Sequence, residues 1–178
     1  MRPVAVSTYL IAILLPIILS QPIFAKSINL DDIRGGARLS NIDIDASNYD
    51  DTVGVGVFLE SPIDSRSKIG TSFDIWSTED RVLDQFHMSD IAFGIYGKYF
   101  FATGVDQINP YGLVGLGLHL IEVDTITRSD RQTQGSLDMG IGIESKLNSY
   151  LALCAEMKMR NVNKNDYRDF GLGMIAKF

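Results

Sequence analysis

The sequence predicts an all-β chain, an eight-stranded antiparallel up-and-down transmembrane β-barrel, and three observations predict it. Apolar residues return at every second position through most of residues 26–178. The positions between them carry glycine and charge rather than a uniformly polar face. The runs number eight, and the links after the odd-numbered runs are more polar than those after the even-numbered ones. Strict alternation is the pattern of a strand whose two faces meet different surroundings.

The first 25 residues differ from the rest. "MRPVAVSTYLIAILLPIILSQPIFA" places Arg2 before an apolar run from Tyr9 to Leu19 and closes on the small residue Ala25. That is the order of a secretory signal peptide. The run is short and Pro16 interrupts it, which argues against a membrane-anchoring helix. The expected division is a signal peptide at 1–25 and a barrel at 26–178, with cleavage after Ala25 and Lys26 first. Loss of Arg2 takes the net charge from −6 to −7. An acidic secreted chain is a poor nucleic-acid binder. Its one cysteine, Cys154, makes no intramolecular disulfide.

The strands are expected near 32–43, 52–61, 68–78, 88–101, 109–123, 133–147, 150–161 and 167–178. "TVGVGVFLE" sets Val53, Val55, Val57 and Leu59 against Gly54, Gly56, Phe58 and Glu60. "LALCAEMKMR" sets Leu151, Leu153, Ala155, Met157 and Met159 against Ala152, Cys154, Glu156, Lys158 and Arg160. "SPIDSRS", "FATGVDQIN" and "LNSY" are links at one end. "DIDASNYDD", "STEDRVLDQFHM", "DTITRSDRQT" and "NVNKNDYRD" are the more polar links at the other. Strands of about 10 residues match a tilted bilayer crossing.

The faces decide the setting. The apolar face carries Tyr99, Phe101, Tyr150, Phe170 and Phe178 near strand ends, as an outward lipid-facing band does. The other face mixes glycines with Asp138, Glu144, Lys146, Glu156, Lys158 and Arg160, which are expected to pair as a charge network in a narrow lumen. Gly54/Gly56, Gly115/Gly117, Gly140/Gly142 and Gly171/Gly173 leave room there for Trp76, Tyr96 or Arg160 from other strands. No GxGxxG stands between a strand and a helix, so these pairs are not a nucleotide loop. The terminal "GLGMIAKF" continues the alternation to Phe178, so the last strand is expected to close the barrel against the first.

"NPYGLVGLGLHL", "MGIGIESKLNSYLALCAEMKMR" and "YRDFGLGMIAKF" resemble the late strands of bacterial outer-membrane β-barrels, most closely the eight-stranded OmpA/OmpX-like barrels. The resemblance spans Lys26 to Phe178. It implies the outer membrane, both termini in the periplasm and four longer loops outside. It also implies Phe178 as the signal read by the barrel-assembly machinery. The implied role is structural or surface-binding: envelope integrity, adhesion, or contact with a host or surface ligand. Outer-membrane lipid and lipopolysaccharide are the implied surroundings, and no cofactor is implied. A narrow small-solute channel and an outer-leaflet lipid A modifying enzyme are the alternatives.

The enzyme alternative rests on "FHMSD". His87 and Ser89 share one face of a strand, as a base and nucleophile would. Outer-membrane lipid A deacylases carry a His-x-Ser pair followed by Asn, with an acidic partner on a neighbouring strand. Here Asp90 follows, and Asp74 and Glu122 are the acids on neighbouring strands. The plainer reading is an ordinary loop edge. His119 alternates with Gly115 and Gly117 and is expected to be a hydrogen-bonded lumen residue rather than a metal ligand. "DIDASNYDD" begins like a calcium loop, but Asn48 stands where glycine is required and Gly54 where glutamate should close it. Arg81, Arg128, Arg131, Lys164 and Arg168 are loop cations that suit lipopolysaccharide phosphates, or plain solvation.

Overall fold

The computed structural model describes residues 32–44, 51–79, 86–103, 107–125, 128–162 and 165–178. The expected signal peptide, most of "DIDASNYDD", Arg81 and Lys164 lie outside the described residues. Eight strands follow in chain order: β1 (Arg34–Ile44), β2 (Thr52–Pro62), β3 (Ser67–Glu79), β4 (Phe86–Phe100), β5 (Ile108–Thr125), β6 (Arg128–Lys146), β7 (Leu151–Val162) and β8 (Asn165–Lys177). Each pairs antiparallel with the next. β8 returns to β1, from Arg34↔Lys177 to Ile44↔Tyr167, and closes the barrel. Closure removes every free edge within the membrane, where an unpaired backbone group has no water to bond.

Alternation sorts the side chains. Val53, Val55, Val57 and Leu59 are exposed on the outer wall, as are Leu116, Leu118 and Leu120 of β5. Phe58, Glu60, Asp74, Trp76, Lys98, Glu156 and Arg160 are buried inside. Tyr99 and Phe101 stack edge to face, 5.7 Å apart, at the end that carries both termini. Exposed Tyr150 and Phe178 lie at the same end. Phe178 follows β8, and its N–H donates to the Ile33 carbonyl at 3.3 Å.

Two of the tight links at the terminal end are made by side-chain-capped turns. Asp64 Oδ1 accepts from the N–H groups of Arg66 and Ser67, both at 2.7 Å. Asn148 Oδ1 accepts from Tyr150 and Leu151 at 2.8 and 2.9 Å. Asp and Asn suit such turns because a short acceptor can replace a backbone carbonyl.

The distal end departs from expectation. "DTITRSDRQT" was expected as a link, but the β5–β6 ladder continues through it to Thr125↔Arg128. β6 therefore starts at Arg128 rather than near 133. Cross-strand polar pairing holds this extension: Glu122 accepts from Arg131 Nε at 2.9 Å and from the Ser129 hydroxyl at 3.1 Å. Alternation marks a strand only where its faces meet different media, so a hairpin that stands in water on both sides shows none.

Candidate functional site: the lumen and the distal rim

Six cations and seven carboxylates face the lumen among the described residues: Arg34, Arg38, Lys68, Lys98, Lys158 and Arg160 against Glu60, Asp74, Asp90, Asp138, Glu144, Glu156 and Asp169. Each sits at an inward position of its strand, in phase with the glycines wherever the strand has them, so the barrel geometry brings all of them into one column.

At the terminal end, Arg34 bridges Glu60 at 2.7 Å and Glu144 at 2.7 Å, and Lys68 reaches Glu144 at 3.3 Å. Above them lies an apolar and aromatic layer that includes Phe58, Tyr96, Tyr111, Leu113 and Cys154. The Lys98 ammonium lies 4.6 Å from the centre of the Tyr111 ring and 2.5 Å from Glu60. The centre is held by Arg38, which grips both oxygens of Asp74 at 2.7 and 2.8 Å and Glu156 at 2.9 Å. Arg160 completes this layer by donating to Asp74 at 2.9 Å and to Asp169 at 2.8 Å. The Tyr111 hydroxyl donates to Glu156 at 2.8 Å. Gly56 makes the approach possible, since a Cβ there would collide with Asp74 and lie 3.1 Å from Arg38 Nε. Buried charges are tolerated when paired and hydrogen-bonded in this way.

Toward the distal end the ionic column becomes a chain of hydrogen bonds. Ser136 donates to Asp138 at 2.6 Å, and its Oγ lies 3.1 Å from His119 Nε2. His119 Nδ1 lies 2.6 Å from Asp90 Oδ2. The order Asp, His, Ser is that of a hydrolase triad. It does not act as one here, because the serine hydroxyl is spent on Asp138 and the group is enclosed. Ile42, Ile44, Trp76, Met88, Ile121, Val162 and Tyr167 form an apolar cluster across the distal lumen. Trp76 and Tyr167 meet edge to face at 5.4 Å.

The structure places the expected network residues in three groups. Glu156, Lys158 and Arg160 lie in the central layer, with Lys158 3.6 Å from Glu156 and 3.8 Å from Asp169. Glu144 joins the terminal-end cluster, and Asp138 joins the serine–histidine chain. Lys146 is exposed at the end of β6, away from the buried column, because the strand runs out of the lumen before reaching it. The cations and acids of β1–β4 were missed, although Glu60 alternates with Gly54 and Gly56, and Lys98 with Gly94, in the same phase. Beside the inner glycines, Tyr96 packs on Gly70, Trp76 on Gly54, and Arg38 rather than Arg160 on Gly56.

His87 and Ser89 lie on the outer wall near the distal rim, His87 exposed and Ser89 half-buried. Register sets Asp124 opposite His87 and Glu122 opposite Ser89. No hydrogen bond joins His87 to Ser89 among the described residues. Asp74 is excluded as their partner because it is inside the barrel with Arg38. Two of the rim cations are engaged: Arg131 with Glu122, and Arg168 with Asp43 at 3.5 Å. The Glu122 carboxylate holds the Arg131 proton more tightly than usual.

The family model described as outer membrane protein beta-barrel domain matches residues 11–178. No curated protein matches the chain. Among solved structures it is similar to Neisserial surface protein A, with 16% identity over 82% of this chain and 97% of that one and a TM-score of 0.68. It is also similar to Ail, the attachment invasion locus protein of Yersinia pestis, solved with the heparin analogue sucrose octasulfate: 18% identity, 83% and 97% coverage, TM-score 0.59. The N-terminal barrel of Pseudomonas aeruginosa OprF follows at 16% identity, 82% and 97% coverage and a TM-score of 0.57. At these identities the likenesses show the fold alone.

Proposed function

Since the chain belongs to the outer membrane β-barrel domain family and resides in the outer membrane, we propose that it is a surface-binding barrel that makes its contacts through the distal end. One observation carries this reading. The lumen is filled and crossed by an apolar cluster, whereas the β5–β6 ladder runs on past the end of β7, with β4 alongside β5 up to Thr125. β7 begins to pair with β6 only at Ser136↔Val162, so 128–135 is paired on its β5 side alone among the described residues. A narrow solute channel fits this packing poorly, because side chains occupy the path. The solved complex of Ail with a heparin analogue supports contact with a surface polysaccharide or host surface as the kind of role. Assembly through the machinery that reads Phe178 belongs to the same reading.

The test is to shorten the hairpin by joining Ile121 to Gln132, which are register partners, through a tight turn. The shortened barrel is expected to keep its different gel mobilities with and without boiling. Adhesion of expressing cells to a cultured-cell monolayer is expected to fall to the level of cells lacking the protein. Unchanged adhesion would overturn the reading.

A second reading is favoured by the register of His87 with Asp124 and Ser89 with Glu122, which supplies acidic neighbours for a lipid-facing hydrolase of the deacylase kind. Mass spectrometry of lipid A from cells with and without the protein separates the two. The binding role expects identical spectra. Loss of one acyl chain, restored in His87→Ala, would establish the enzyme instead.

A further inference from the structure

We propose that the chain Asp90–His119–Ser136–Asp138 is a proton-binding site, holding one proton more than a neutral histidine between two carboxylates would carry. The argument is a count of hydrogens. Three contacts link the four residues, at 2.6, 3.1 and 2.6 Å. Each needs one hydrogen, because facing lone pairs repel at such distances. A neutral imidazole supplies one N–H and the serine one O–H; ionised carboxylates supply none. The third hydrogen is therefore an additional bound proton. Ser136 gives its hydrogen to Asp138, so Nε2 carries the one directed at Ser136. The additional proton lies between Nδ1 and Asp90 Oδ2, and the other oxygen of that carboxylate, Oδ1, has no hydrogen-bond partner among the described residues. Imidazole is intrinsically a stronger base than a carboxylate, so the proton is assigned to the ring, as an imidazolium donating to Asp90.

Charge balance supports the same conclusion independently. Among the described residues the lumen's seven carboxylates exceed its six cations by one. An uncompensated buried charge is costly, and one bound proton removes it. The described groups around the chain do not offer another cation for Asp90. Arg160 of β7 stands opposite Asp138 in register and donates to Asp74 and Asp169. Trp76 of β3 and Tyr167 of β8 present rings, the latter 6.2 Å from the imidazole. The site is also built for its occupant: a Cβ on Gly117 would collide with the Ser136 hydroxyl and lie 3.3 Å from Nε2.

Nitrogen NMR of the folded protein in lipid nanodiscs, isotope-labelled in its histidines, tests this at neutral pH. The chain has two histidines, so a His87→Gln variant leaves the signal of His119 alone. Both ring nitrogens of His119 are expected to carry hydrogen. A neutral ring would overturn the proposal. In Asp90→Asn the new amide donates to Nδ1 itself and one carboxylate is gone, so the ring is expected to become neutral with hydrogen on Nε2. A ring that stays doubly protonated in that variant would equally overturn it. Should that variant fail to fold, as judged by gel mobility, the measurement on the natural residues still decides.

Discussion

Replacing Arg38 by methionine is expected to destabilise the barrel by about 3–5 kcal/mol, the usual cost of removing one partner from a buried ionic cluster. Arg38 is buried in the central layer and donates hydrogen bonds to both Asp74 and Glu156 there. Methionine fills much of the space but leaves both carboxylates short of a counter-charge. Equilibrium unfolding by urea in lipid vesicles measures the effect, and Trp76, the single tryptophan, reports it from inside the distal cluster. A double-mutant cycle adds the mechanism. Arg38→Met combined with Glu156→Gln is expected to cost less than the sum of the two single changes, since residues sharing a network couple. A loss below about 1 kcal/mol for Arg38→Met, a size usual for an exposed pair, would show the column to be hydrated rather than buried.

Leu116→Arg is expected to cost about 2–4 kcal/mol, the range for a cation on the lipid face at the bilayer midplane. Leu116 is 67% exposed, yet its register partners are Ile95 and Leu137, also exposed and apolar. It stands midway along the apolar stripe, between Tyr99 at the terminal end and the polar level of Ser89 and Glu122 at the distal end. Gln132→Arg, on the polar hairpin beyond that stripe, is the control. It is expected to change stability by no more than about 0.5 kcal/mol, as exposed substitutions in water do. Equal effects at the two positions would mean that the wall meets water.

The strand count, the lipid wall and the closing strand were determined by the sequence alone. A lipid-facing wall and a packed lumen leave an alternating pattern that each strand carries locally, as "TVGVGVFLE" does. The pairing of the last strand with the first follows from the same pattern, since an alternating terminal strand needs a partner. Inward charge was legible in β6, where glycine and charge share a phase, and in β7, where charge alternates with apolar residues; the same signal was present but unread in β1–β4.

Other features only the tertiary structure decided. Arg38 can reach Asp74 and Glu156 because β1, β3 and β7 face one another across the lumen, a relation set by closure and stagger rather than spacing along the chain. Asp90, His119 and Ser136 meet because β4, β5 and β6 are neighbours and Gly117 leaves the gap between them. Lys146 shares the phase of the lumen residues but lies past the point where the barrel encloses them. The β5–β6 hairpin was read as a link because water bathes both of its faces, and a strand with one solvent on two sides has no reason to alternate. Sequence periodicity records which medium each residue meets; partners across a closed lumen depend on the register that closes it.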